Sequence, residues 1–209
     1  MRVVGLAAAL ALAGCDALAS PDYVGEPMFT LVGTFAAAAS APDDPLGGVA
    51  LMWQDAGGAG GPGIATTRVP VSIRFPATFR VDVPVPPPAI ARFTVGDGEP
   101  QLAEGYVFVV TDPAADRLEP RGVDRTHVLV YATDDIAAGT ATAEYLGGPI
   151  SRGYHLRRFV PGEAGAVQRG MIERCVASGA LRATCEVRRA YQLAATDDHD
   201  SLRIAVTPP

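Results

Sequence analysis

Three histidines (His127, His155, His199), three cysteines (Cys15, Cys175, Cys185) and six serines are the side chains of this 209-residue chain best suited to catalysis or metal binding. Their spacing pairs none of them. No His-x-x-x-His or Cys-x-x-Cys occurs, so no local metal-ligand pair is present. No Gly-x-Ser-x-Gly elbow surrounds a serine, and a hydrolytic triad would have to assemble in space from His127 or His155, a carboxylate and a serine. The run DDHD, residues 197 to 200, carries metal-binding side chains but reads as a polar hairpin turn before a last strand. GAGGPG, residues 58 to 63, has the glycine spacing of a dinucleotide loop. Such loops work by leading into a helix N-terminus that holds the pyrophosphate. Here a proline intervenes and the next segment alternates like a strand, so a low-complexity loop is expected.

The elements that would have to position these groups are mostly strands, because the apolar period is two. FTLVGTF alternates Phe29, Leu31, Gly33 and Phe35, and VALMWQ puts Val49, Leu51 and Trp53 on one face. RVPVSIRF aligns Val69, Val71, Ile73 and Phe75, and TFRVDV aligns Phe79, Val81 and Val83. GYVFVVTD brings Tyr106, Phe108 and Val110 together, and THVLVYAT is a sixth strand. Weaker strands are expected at Arg92–Val95, Tyr154–Phe159 and Leu202–Val206. VPVPPP cannot donate to a ladder and must be a loop or an edge. Asp97-Gly98 and Gly147-Gly148 read as turns. The expected fold is all-β, an antiparallel β-sandwich of immunoglobulin, transthyretin-like or related type, with Trp53 as its central core aromatic. The immunoglobulin Cys…Trp…Cys spacing itself is missing. Residues 164 to 193 break the pattern: Val167, Met171 and Cys175 have partial helical spacing, and a short helix followed by an irregular or strand segment is expected there.

Composition narrows function by exclusion. All 17 basic residues are arginine, and the chain has neither lysine nor asparagine. That leaves no P-loop lysine, no Schiff-base lysine and no Asn-type glycosylation acceptor. Residues 15 to 149 carry 7 arginines against 17 acids, a net of −10, whereas residues 150 to 209 carry 9 against 6, a net of +3. The C-terminal arginines (Arg152, Arg157, Arg158, Arg188, Arg189) define a candidate interaction surface for an anionic lipid, a glycan or an acidic envelope protein. A net acidic chain with no basic-aromatic motif is not expected to bind nucleic acid.

The N-terminus supplies the clearest signal. Met1-Arg2 is followed by an apolar run from Val3 to Ala13, about half of what a bilayer span needs. A positive start, a short apolar middle and small residues ahead of a cut are the parts of a signal peptide. Leu12-Ala13-Gly14-Cys15 resembles the lipobox of bacterial lipoproteins. That resemblance implies cleavage before Cys15 and thioether lipidation of its thiol, so that residues 1–14 are a leader, 15–27 a lipidated tether and 28–209 a single domain anchored to the inner or outer membrane of the cell envelope. Asp16, next to the cysteine, resembles an inner-membrane retention signal of enteric bacteria, a rule that transfers poorly between groups. With Cys15 lipidated, Cys175 and Cys185 form an even pair in an oxidising compartment, where a structural disulfide stapling the C-terminal excursion is expected.

The body is similar to a group of uncharacterised bacterial lipoproteins from high-GC Gram-negative genomes. The likeness runs through the leader, VALMWQ, the proline-rich loop, residues 105–131 and GYHLRRF. In that group a strand ending in Gly-Tyr plus apolar residues leads into a calcium-type loop, onto whose acidic positions Asp112, Asp116 and Glu119 of DPAADRLEP fall. Ala114 stands where a side-chain oxygen is needed, and Arg117 occupies the region of the turn glycine. Calcium takes 6–8 oxygens converging on a tight turn, so a solvated turn is expected ahead of a Ca2+ site. The functional expectation is an envelope lipoprotein acting as a binding or structural module. The alternatives are an envelope hydrolase whose site forms only in three dimensions and an accessory subunit of a secretion or outer-membrane assembly.

Overall fold

FTLVGTF and TFRVDV alternate because each strand has one wet face. In the computed structural model, which describes residues 27–37, 47–54, 64–70, 77–110, 114, 120–124, 126–162, 191–196 and 201–206, they form β1 (Phe29–Ala37) and β4 (Ala77–Val83). Leu31, Phe79, Val81 and Val83 are buried while Val32, Thr34, Thr78, Arg80 and Asp82 face outward. The two strands pair antiparallel, with Thr30 opposite Asp82. On the outer face Thr30 donates its hydroxyl to Asp82 Oδ1 at 2.7 Å, and Arg80 donates Nε to the same oxygen at 3.0 Å. Arg80, then Thr30, hold the Asp82 carboxyl below its usual range. The last strand, β10 (Ser201–Val206), completes this three-stranded sheet on the other side of β1 and runs parallel to it.

The larger sheet has the order β3 (Ile64–Pro70), β2 (Gly48–Trp53), β5 (Leu102–Val110), β7 (His127–Ala132), β8 (Gly153–Pro161), β9 (Tyr191–Ala195), and β6 (Pro120–Val123) pairs with part of β5. Its pairings are antiparallel. One-sided alternation does not describe its centre. All six residues of β2 and all nine of β5 are buried, as expected of strands covered on both faces. On one face Val49, Leu51, Trp53, Val107, Leu129 and Leu156 pack against Leu31, Phe79 and Val81 of the small sheet. On the other, Met52, Tyr106, Phe108, Val128 and Val130 pack beneath Tyr145 and Leu146.

Trp53 is 1% exposed and central to the first core, as expected from its strand parity. Its neighbour across the ladder is Gly105, where an added Cβ would come within 2.9 Å of two indole carbons. The glycine is the space into which the indole fits.

Several expectations are corrected by the observed elements. β3 begins at Ile64, ahead of the alternating run proposed for it, whose residues 71–75 lie outside the described set. Arg92–Val95 is not a strand: Phe93 makes one antiparallel bridge to Leu102, closing a turn in which Gly98 adopts φ 72°. The last two strands belong to different sheets, so DDHD does not join a hairpin. The VPVPPP segment is a loop ending in a 3-10 turn at Ala89–Ala91. Of the 164–193 excursion only Tyr191–Leu193, in β9, is described; Cys175 and Cys185 lie outside the described residues, as does Cys15.

Among the described residues an α-helix lies between β7 and β8. α1 (Ala141–Leu146) starts at Thr140, whose hydroxyl accepts from the Ala143 N–H at 3.1 Å, and ends at Gly147 with φ 73° and ψ 29°. A left-handed residue at that position is the usual helix stop, so the turn read at Gly147-Gly148 is a helix cap. No described helix is long and apolar enough to cross a membrane.

Candidate functional site

Two clusters of polar side chains are built into the large sheet, one under α1 and one at the start of β7. Under α1, Glu104 of β5 is fully buried. Strand alternation places it on the face shared with Tyr106, whose hydroxyl donates to Oε2 at 3.1 Å, while Tyr145 of α1 donates to Oε1 at 2.5 Å. A buried carboxylate is tolerable only with such donors. The pair of phenols ties the helix to the sheet through one acidic side chain.

A second carboxylate fixes the start of the same helix. Glu99 accepts the Ala141 N–H at 2.9 Å on Oε1, and on Oε2 the Thr142 N–H at 2.8 Å together with the Thr142 hydroxyl. The Thr142 hydroxyl and then the backbone N–H groups hold the Glu99 carboxyl below its ordinary value of 4.5, against the opposing effect of burial. Because the native value is depressed, this contribution is complete above about pH 4.5 and lost as pH falls through the native value. We therefore expect Glu99→Gln to lower the urea midpoint at neutral pH, and the gap from wild type to close on acidification. A gap independent of pH would remove the carboxylate from this role.

Beside α1, Arg157 of β8 is buried and donates Nη2 to the carbonyls of Gly148 at 3.3 Å and Pro149 at 3.2 Å. Burial pushes its guanidinium below the usual value. The helix, Gly139 and Pro149 line a shallow, open depression of about 350 Å3.

The second cluster is Asp124, Thr126 and His127. The Asp124 N–H donates to Val107 O at 2.9 Å, and the Phe159 N–H donates to Thr126 O at 2.8 Å, so β5 and β8 hold this turn from both sides. Asp124 Oδ1 accepts from the Thr126 N–H at 2.8 Å and from its hydroxyl at 2.6 Å. With the hydroxyl proton committed there, the Thr126 oxygen accepts from His127 Nδ1 at 2.8 Å, which assigns the proton to Nδ1. Asp124 Oδ2 is buried without a hydrogen bond and lies 3.4 Å from the same Nδ1. Acid and hydroxyl thus both address one ring nitrogen. A relay needs them on opposite nitrogens, so Asp124 and Thr126 orient the imidazole, and Thr126 is not placed as a nucleophile for it.

The residues singled out from sequence are scattered. His155 Nε2 lies 2.7 Å from the Ser151 carbonyl oxygen, a contact with the backbone. Among the proposed surface arginines, Arg152 and Arg158 are exposed, but Arg157 is not part of any surface. Consecutive strand residues point to opposite faces: Arg158 pairs across the ladder with His127, Arg157 with Val128. Arg188, Arg189, Asp112, Asp116, Glu119 and His199 lie outside the described residues, among which no group of three metal-ligating side chains occurs.

Among the described residues, fold and clusters define a mostly β protein of two sheets with one short helix laid over the larger. Comparison with known proteins finds no matching family model, no matching curated protein and no matching solved structure.

Proposed function

We propose that this protein is a lipid-anchored envelope lipoprotein, acylated on Cys15, whose residues 28–209 form one β-sandwich domain of immunoglobulin, transthyretin-like or related type, stapled by a Cys175–Cys185 disulfide. It works by binding or by structural association with an envelope protein or glycan. The observation that carries the second half is the use made of the interior polar groups: Glu104 holds two tyrosines, Glu99 starts a helix and Asp124 closes a turn. Each serves architecture. The lipobox residues Leu12 to Cys15 carry the first half.

Cys15→Ser is the direct test of the anchor. The variant should retain its leader and take up no labelled fatty acid, and a cleaved, membrane-bound variant would refute lipidation. Crosslinking in intact cells then reads the partner: a stoichiometric membrane protein marks the accessory-subunit role, a glycan or soluble protein the binding role.

A second reading, an envelope hydrolase, is favoured by one contact, the approach of His127 to Asp124. It requires a hydrolytic activity abolished by His127→Ala at unchanged stability.

A further inference from the structure

We infer that the end of the small sheet where the tether enters is a bilayer-contact surface, formed by Met28, Val85, Ile90 and the proline-rich loop between them; this rests on lipidation of Cys15.

Three of the four large hydrophobic side chains exposed among the described residues lie here: Met28 at 49%, Val85 at 54% and Ile90 at 58%. They belong to two segments held side by side, since the Met28 N–H donates to Val83 O at 2.9 Å. The stretch VPVPPPAIA, residues 83 to 91, contains no polar side chain at all. From Val83 to Gly96 the charged residue is Arg92, in a region whose overall charge is strongly negative.

The loop is fixed from within, which makes the exposure a built feature. The Tyr154 hydroxyl donates to the Val85 carbonyl at 2.7 Å, and Arg92 donates Nη2 to the Pro87 carbonyl at 2.9 Å. Burial, then Tyr131, push the Tyr154 phenol upward, so it remains a donor. Ala91 and Pro87 point inward while Val85, Pro86, Ala89 and Ile90 point out. Leaving water is costly mainly for backbone N–H and C=O groups without partners. Four of the five residues 84–88 are prolines and have no N–H, and the carbonyls of Val85, Pro87 and Pro88 already have internal donors. Such a backbone suits a lipid headgroup boundary.

The chain's own length names the occupant. Residues 16 to 27 set at most about 45 Å between the lipidated Cys15 and Met28. The apolar end is therefore the part of the body closest along the chain to the anchoring bilayer. With no carboxylate from 83 to 96, this stretch itself adds no repulsion toward an anionic leaflet.

The test uses the mature acylated protein in vesicles of phosphatidylethanolamine and phosphatidylglycerol containing brominated acyl chains. Trp53 is the one native tryptophan and is buried between the sheets, so it reports folding and does not meet the quencher. Ile90→Trp should lose the larger part of its added emission to the brominated lipid, and Glu144→Trp, exposed on α1 at the opposite side of the large sheet, should lose none. Ile90→Trp unquenched in acylated protein overturns the contact, whether solvent or a second copy covers the patch, and equal quenching at both positions overturns its specificity. Labelled fatty acid on Cys15, read in the same sample, separates failure of the contact from failure of the anchor; an unacylated Cys15 removes both.

Discussion

Gly147→Ala is expected to destabilise the protein by about 3 kcal/mol, from two costs that meet at one residue. The first is conformational. Gly147 sits at φ 73°, where a side chain costs about 1–2 kcal/mol. The second is steric. A Cβ at Gly147 would lie 1.8 Å from the carbonyl oxygen of Leu193, a backbone atom of β9 that cannot rotate away. Relieving it requires the end of α1 to lift off the sheet, which disturbs the packing of Leu146 and Leu193 in the same core. Overpacking of this kind costs about 1–3 kcal/mol. Gly139→Ala separates the terms, because Gly139 has φ 84° and nothing within 4 Å of the added Cβ. Urea unfolding should give about 1 kcal/mol at Gly139 and the larger loss at Gly147. Equal losses at the two glycines would mean that α1 is not held closely to β9.

That joint marks where the sequence is a poor guide. Strands with one wet face announce themselves through period-two alternation, and β1 follows it over residues 31–34 and β4 over 78–83. β2 and β5 were recognisable as strands, but alternation ranks one face as the core, and here Ala50, Met52, Tyr106 and Phe108 are equally buried. What covers that face is α1, six residues long and too short to display a helical period. Its Thr140 cap and Gly147 stop are readable in principle, but a Gly-Gly pair between strands reads equally as a turn. Its second N-terminal partner, Glu99, is 42 residues away from Ala141. A side chain that caps from such a distance leaves no local signature.

The polar interior was hidden for a related reason. GYVFVVTD was readable as a strand with Tyr106, Phe108 and Val110 on one face, and the same parity carried back two residues reaches Glu104. A carboxylate there looks like a solvated strand end, because an isolated buried charge is so costly. The donor that makes it tolerable, Tyr145, stands on the element that alternation does not reveal. Arg157 and Arg158 illustrate the reverse error: adjacency in sequence suggested one basic patch, and the strand's alternation places one of the two inside.

Tyr145→Phe is expected to cost about 2 kcal/mol, since it removes a 2.5 Å bond to a fully buried carboxylate. Tyr106→Phe should cost less, as its bond to the other oxygen is longer at 3.1 Å. Glu104→Leu removes the shared acceptor from both phenols and should cost about 3 kcal/mol. The informative variant is the double replacement Glu104→Leu with Tyr145→Phe. Removing both partners of a buried hydrogen bond leaves neither group with an unmet need, so the double variant should be less destabilised than the sum of the singles by about 1–2 kcal/mol. A network that pins a helix to a sheet has this signature, because the cost of each single change lies in the partner left behind. Strict additivity in urea unfolding would assign Glu104 and Tyr145 to separate roles and detach the helix from the carboxylate.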